Sequence, residues 1–134
     1  MAGFEFAFTL SGGAPIRFEF PVADTVVLSQ GELVNIESGE ADAGASGDAT
    51  LAGIAEHDVD NTLDGEVVSV IINPDAVYSV VDANARSAGD TLDIASGGMG
   101  VTTSGDADLV VVRNCTAAER TLVKISSGEH YLDQ

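Results

Sequence analysis

Residues 3–22 read Gly-Phe-Glu-Phe-Ala-Phe-Thr-Leu-Ser-Gly-Gly-Ala-Pro-Ile-Arg-Phe-Glu-Phe-Pro-Val. Successive side chains of an extended chain point to opposite sides, so Phe4, Phe6, Phe8 and Leu10 share one face, and Ile16, Phe18, Phe20 and Val22 share another. Ser11-Gly12-Gly13-Ala14 between them is turn chemistry. A period of two this regular specifies β structure, either as an extended arm or as a hairpin. All five phenylalanines of the protein fall in these first 20 residues.

Beyond Pro21 the same period continues in shorter, lighter runs. Val26-Val27-Leu28 ends at Gln30-Gly31, and Leu33-Val34-Asn35-Ile36 ends at Ser38-Gly39. Residues 40–48, rich in Ala, Gly, Ser and Asp without periodicity, read as a surface loop. Further strands are expected over residues 50–55, 66–72, 77–81, 91–95, 100–103, 109–112 and 122–126, each bounded by Gly, Ser, Asn, Asp or Pro. Residues 57–65 read as a polar connection, and residues 82–88 and 116–120 could each hold one helical turn. The expectation is an all-β fold with very little helix, a small antiparallel barrel or sandwich over residues 23–134 preceded by an arm or hairpin over residues 1–22.

A phrase recurs within the body. Gly31-Glu32-Leu33-Val34-Asn35-Ile36-Glu37-Ser38-Gly39 matches Gly89-Asp90-Thr91-Leu92-Asp93-Ile94-Ala95-Ser96-Gly97, and Gly65-Glu66 and Gly105-Asp106 also open strands. The Gly-acid pair reads as a turn device in which Gly takes positive φ and the acid faces solvent. Two copies do not make a solenoid, so the repeat points to pseudo-symmetry within one domain.

At 134 residues the chain can bury a core without help, and its one cysteine, Cys115, leaves no intrachain disulfide to form. No apolar run approaches the ~18 residues that would cross a bilayer, and the N-terminus lacks a signal-peptide pattern, so a soluble protein beginning near Met1 is expected. Twenty-two acidic residues stand against five basic ones, for a net charge of -17. Phosphate backbones and anionic membranes are bound by Lys and Arg that this chain lacks, which excludes direct nucleic-acid binding and membrane association as expected roles. Hydrated carboxylates suit a molar-salt environment, where the screening length falls to about 3 Å, and this points to a halophilic origin.

Catalytic chemistry is hard to assemble from these residues. His57 and His130 lie in no nucleophile motif, Ser96-Gly97-Gly98-Met99-Gly100 lacks the lysine of a phosphate loop, and Cys115 follows an apolar run as a buried thiol would. Asp58, Asp60 and Asp64 alternate like calcium ligands, but Ile71 stands where the bidentate glutamate would be needed, so a polar connection is the simpler reading. Lys124 sits in an apolar strand pattern rather than on a turn, unlike the carrier lysine of a biotinyl or lipoyl module. The chain is expected to be neither an enzyme nor a cofactor protein.

With an extended N-terminal segment before a small body of Gly-acid turns, the chain resembles the capsid decoration (cement) proteins of tailed viruses. The resemblance is carried by residues 26–39, by Leu51-Ala52-Gly53-Ile54-Ala55, by residues 65–72 and by Gly89-Asp90-Thr91-Leu92. It implies a structural virion protein, a homotrimer on the outer surface of the capsid that bridges major capsid protein subunits and stabilises the head. It also implies synthesis in the host cytoplasm and no catalysis or cofactor. On this resemblance Phe4, Phe6, Phe8, Phe18 and Phe20 form the capsid or subunit interface, since aromatic side chains dominate such contacts. Read from the residues alone, the same ribbon is equally the first two core strands. A head fibre or turret subunit, and a calcium-dependent adhesion module, are the alternative roles.

Overall fold

A computed structural model describes residues 3–62, 65–103 and 106–133. Among these, the strands in chain order are β1 (Glu5–Thr9), β2 (Arg17–Pro21), β3 (Val27–Leu28), β4 (Leu33–Glu37), β5 (Glu40–Ala43), β6 (Leu51–Ile54) and β7 (Val59–Asp60). They continue as β8 (Val67–Ile71), β9 (Ala76–Val80), β10 (Thr91–Ile94), β11 (Val101–Thr102), β12 (Leu109–Val111) and β13 (Thr121–Ile125), followed by a single 3-10 turn, Tyr131–Asp133. The fold is all-β, and every strand ladder is antiparallel. The sheets stack as a sandwich without closing into a barrel.

The large sheet runs β1-β9-β13-β12-β10-β11, a smaller one runs β5-β4-β6, and β2-β8 and β3-β7 form two-stranded ribbons. Tyr78, Val123, Leu109 and Leu92 of the large sheet pack on Leu33, Leu51 and Ile54 of the small one to make a first core. Val34, Ile36 and Ala52, on the other side of the small sheet, pack on Phe20, Val68 and Val70 of the β2-β8 ribbon to make a second. The small sheet is thus a middle layer buried on both faces. That is why Leu33-Val34-Asn35-Ile36 and Leu51-Ala52-Gly53-Ile54 show no polar alternation. Isolated bridges Ala55↔Val70 and Val22↔Ala41 tie the ribbon to both edges of the small sheet.

Three local readings change. Residues 40–48 do not stay a loop, because Ser38 and Gly39 both take positive φ, 53° and 79°. That is the geometry of a two-residue hairpin, and it folds β5 back on β4 with Ile36 opposite Ala41. Turn chemistry overrides composition here. Residues 57–65 likewise hold a short strand, β7, whose Val59 joins the second core. Residues 82–88 form bends around an Asp82–Arg86 ion pair rather than a helical turn.

The Gly-acid device is real, but the acid does not simply face water. Gly31 and Gly89 take φ of 85° and 91°, and the acid after each folds back to accept the N–H three residues before it. Glu32 Oε1 accepts from Ser29 N at 3.0 Å, and Asp90 Oδ2 from Ser87 N at 2.8 Å. Glu32 is buried, and that burial raises its pKa above the ordinary carboxylate value. The Gly105-Asp106 copy begins outside the described residues.

Candidate interaction surface

The phenylalanine ribbon splits. β1 pairs with β9 and β2 with β8, so the two halves join different sheets. Phe4 lies wholly in the first core and Phe20 in the second, while Phe6 packs edge-on against Tyr78 with ring centroids 6.4 Å apart. The segment read as an arm or hairpin supplies core side chains, each fully buried aromatic contributing on the order of 2–3 kcal/mol. Phe4 and Phe20 are buried within the chain, whereas Phe8 and Phe18 are 43% and 57% exposed.

Strict alternation would have sent Phe8 inward behind Phe6. Instead the register shifts between Phe6 and Phe8, so that Phe6 faces Tyr78 and Phe8 faces Val77. Ala7 is the extra residue of a bulge, and a slip of one residue turns everything beyond it to the other side. Leu10 and Ile16 follow as exposed side chains at the tip.

The tip itself is pinned. Leu10 N donates to Asp75 O at 3.0 Å, and Ile72 N to Ile16 O at 2.9 Å. Ile16 N donates to the Asn73 Oδ1, Asn73 Nδ2 to Ala14 O, and Thr9 Oγ1 to Gly13 O. Ser11 N reaches Asp75 Oδ2 at 2.9 Å, and the bonds from Ser11 hold the Asp75 carboxyl below its ordinary pKa. Residues 9–16 are thus seated on the turn between β8 and β9, and four large apolar side chains are presented from a fixed support.

On the β2 side the exposed ring of Phe18 starts an aromatic chain. Phe18 to Phe20 is 5.5 Å between centroids, Phe20 to Tyr131 is 5.8 Å, and Tyr131 to His130 is 5.1 Å. Exposed Leu132 follows on the same 3-10 turn. Tyr131 and Leu132 had no signal in the sequence, because one turn of 3-10 helix carries neither of the periods that reveal a strand or an α-helix. A cleft of about 180 Å³ opens between the start of β1 and β2, floored by Phe4, Ile54 and Ile71, with the Arg17–Glu56 ion pair at 2.7 Å on its rim.

The calcium-like aspartates serve turns. Asp58 Oδ1 accepts from Gln30 N at 2.7 Å and Asp60 Oδ1 from Thr62 N at 3.0 Å, while Asp64 lies outside the described residues. Among the described residues no group of three or more His, Cys, Asp or Glu is placed to hold a metal ion. Asp93 and Asp108 are buried where the 44–48 and 106–108 segments meet, and their carboxylates accept from Ala107 N, Asp106 N, Ile94 N and Gly47 N. Burial raises the Asp108 pKa, and Asp93 and Asp106 add to the effect. The Cys115 thiol is buried and donates to Arg113 O. Lys124 lies on β13 and donates to Ile125 O.

No protein-family model matches this chain, and no curated protein sequence matches it. Its fold is similar to the crystal structure of the head fiber gp8.5 N base of bacteriophage phi29, with a TM-score of 0.55 and 19% sequence identity. The match covers 83% of this chain and 95% of that one.

Proposed function

We propose that the chain is a structural protein of a tailed-virus head, carried on the outer surface of the capsid as a homotrimer that bridges major capsid protein subunits and stabilises the shell. It acts by binding and is not an enzyme. The observation that carries this reading is the fold shared with a phage head-fibre base over 83% of this chain and 95% of that one. Exposed apolar side chains at Leu10, Ile16 and Phe18, on a hairpin seated by hydrogen bonds, supply a contact surface of the kind that marks protein partners. The aromatic chain from Phe18 to Tyr131 stiffens it.

Because the similar fold is the base of a head fibre, a second reading is that the chain seats a fibre rather than acting as cement. Both place it on the capsid exterior. The test is co-sedimentation of the purified chain with heads that lack it. Saturable binding that Phe18→Glu abolishes supports the proposal, and no binding at any concentration overturns it. Cement raises the temperature at which bound heads burst, whereas a fibre base leaves it unchanged. The halophilic host is part of the same proposal, and a melting temperature that does not rise between about 0.1 M and about 2 M sodium chloride would remove it.

A further inference from the structure

A sheet with one face on the core ordinarily turns polar residues outward. The outward face of the large sheet is mixed, with Phe8, Leu122 and Val110 set among Glu5, Ser79 and Lys124. Tyr78, Val80, Val123, Ile125, Leu109 and Val111 point into the first core, so the residues between them point away. Cross-strand pairs fix that outward face: Phe8 opposite Val77, Glu5 opposite Ser79, Ser79 opposite Leu122, and Lys124 opposite Val110. Val77 is already buried by its own chain, whereas Phe8 is 43% exposed. Five of these seven positions are apolar or a hydroxyl, the other two being Glu5 and Lys124, and the bulge at Ala7 is what adds Phe8 to them.

Charge sets this face apart from the remainder of the molecule. Strands β1, β9, β12 and β13 contain one acid, Glu5, and one base, Lys124, and no other charged residue. Arg120, just before β13, lies along the same strands: its guanidinium reaches Glu5 at 3.3 Å and donates to Ser79 Oγ at 2.9 Å. The strand residues themselves sum to zero charge, Arg120 adds one positive charge beside them, and the acidic excess behind the net charge of -17 resides elsewhere. Two copies of so acidic a chain repel over most of any approach, and bringing carboxylates together in an interface adds desolvation to repulsion. A sheet face free of acidic excess, with Phe8 exposed on it, is where a like-charged copy can be met at least cost. A capsid partner is under no such constraint, since it could meet acid with base.

We infer that the outward face of β1-β9-β13-β12 is the self-association surface, its occupant a second copy of this chain. The inference deepens the proposed function, whose trimer it supplies with an interface, and it assigns the Ile16–Phe18 side to the capsid instead.

Sedimentation equilibrium of the free chain tests it at about 0.1 M and about 1 M sodium chloride, over which the screening length falls from roughly 10 Å to 3 Å. The wild type should form an oligomer that tightens at least about tenfold at the higher salt, while Phe8→Glu should sediment as the 13.6 kDa monomer in both. Phe18→Glu should keep the wild-type mass. If Phe8→Glu fails to fold, Val110→Thr with Leu122→Thr, which retains strand-forming residues, reads the same face. A wild type that is monomeric at both salts overturns the inference, as does a folded face variant with the wild-type mass. A face variant that keeps its mass but no longer binds heads overturns it too, by giving the surface to the capsid. Wild type that oligomerises through this face yet binds no heads refutes the proposed function and leaves the inference standing.

Discussion

Gly53 on β6 lies directly beneath the hydroxyl of Tyr78 on β9: a Cβ at that position would sit 2.7 Å from the phenolic oxygen and would overlap the carbonyl oxygen of Ile71. The two layers approach this closely because Gly53 has no side chain. The Tyr78 hydroxyl is buried and has no hydrogen-bond partner among the described residues, and its burial pushes the phenol pKa far above the ordinary tyrosine value. Gly53→Ala should therefore destabilise the fold by at least about 1–3 kcal/mol through overpacking. Tyr78→Phe should stabilise it by about 1 kcal/mol, because an unsatisfied polar group leaves the core. Urea denaturation of both variants and the double checks this. In the double variant, Tyr78→Phe should offset only part of the Gly53→Ala loss, since the Ile71 carbonyl remains in the way.

The second ion pair of consequence is Asp82–Arg86, with Nε to Oδ2 at 2.6 Å and side chains only 5% and 10% exposed. Burial alone would raise the Asp82 pKa, but hydrogen bonding and charge from Arg86, with help from Asn84, bring it below the ordinary value. Arg86 N and O also bridge Cys115. Arg86→Met should cost about 3 kcal/mol, because it leaves a buried carboxylate without its cation. Asp82→Asn in the Arg86→Met background should recover much of that. Equal losses in the single and double variants would mean that the guanidinium stem, not the charge, matters. Since the folded pKa of Asp82 is depressed, its contribution is complete above the unfolded value near 3.8 and is lost as pH falls through the folded one.

The period of two in residues 3–22 made the β class legible before any packing was known, and Gly31 and Gly89 marked turns that exist. The sequence did not show which face Phe8 would take, because the bulge at Ala7 is set by pairing with β9, far away in the chain. Nor did it show that β4 and β6 form a middle layer. Their continuous apolar runs say that both faces are buried, but not against what. β5 was hidden by composition, although Ser38-Gly39 announced its hairpin. The neutral sheet face was invisible for the same reason as the bulge: it exists only once β1, β9, β13 and β12 are laid side by side. Phe18 was legible as one of the ribbon's aromatics, whereas Tyr131, which supports it through Phe20, was not.

His130 should make stability depend on pH in a definite direction. Burial pushes its pKa below the ordinary 6.5, the nearby Lys124 pushes the same way, and Asp133 with the Ala52 and Ile72 carbonyls oppose them. The ring is the Nε2–H tautomer, since Nε2 donates to Ala52 O at 2.8 Å while Nδ1 accepts from Leu132 N at 3.1 Å. Protonation would break the second bond and loosen the 3-10 turn that holds Tyr131 against Phe20. Folded protein binds fewer protons than unfolded between the lowered pKa and 6.5, so stability is full above 6.5 and declines as pH falls toward the folded value. Buried Glu32 and Asp108, with raised pKa values, act in the opposite sense at lower pH. The difference in melting temperature between wild type and His130→Gln isolates the histidine. That difference should hold above about pH 6.5 and shrink as pH falls from there toward about 5, and a constant difference would refute the assignment.

Ser38 offers the simplest gain in stability. It sits at φ 53° in the β4–β5 hairpin turn, a left-handed conformation that costs an ordinary L-residue about 1–2 kcal/mol and asparagine distinctly less. Gly39, at φ 79°, already has the residue its position needs, and a Cβ there would meet no atom within 4 Å, so only backbone strain opposes a side chain. Ser38→Asn creates the Asn-Gly pair that two-residue hairpins favour and should stabilise the protein by roughly 0.5 kcal/mol. Gly39→Ala should destabilise it by about 1 kcal/mol. Because both residues are exposed and no core atom moves, the two shifts should appear in thermal melts without any change in the cooperativity of unfolding. A Ser38→Asn variant no more stable than wild type would mean that pairing of Ile36 with Ala41, rather than the turn, sets the register of β5.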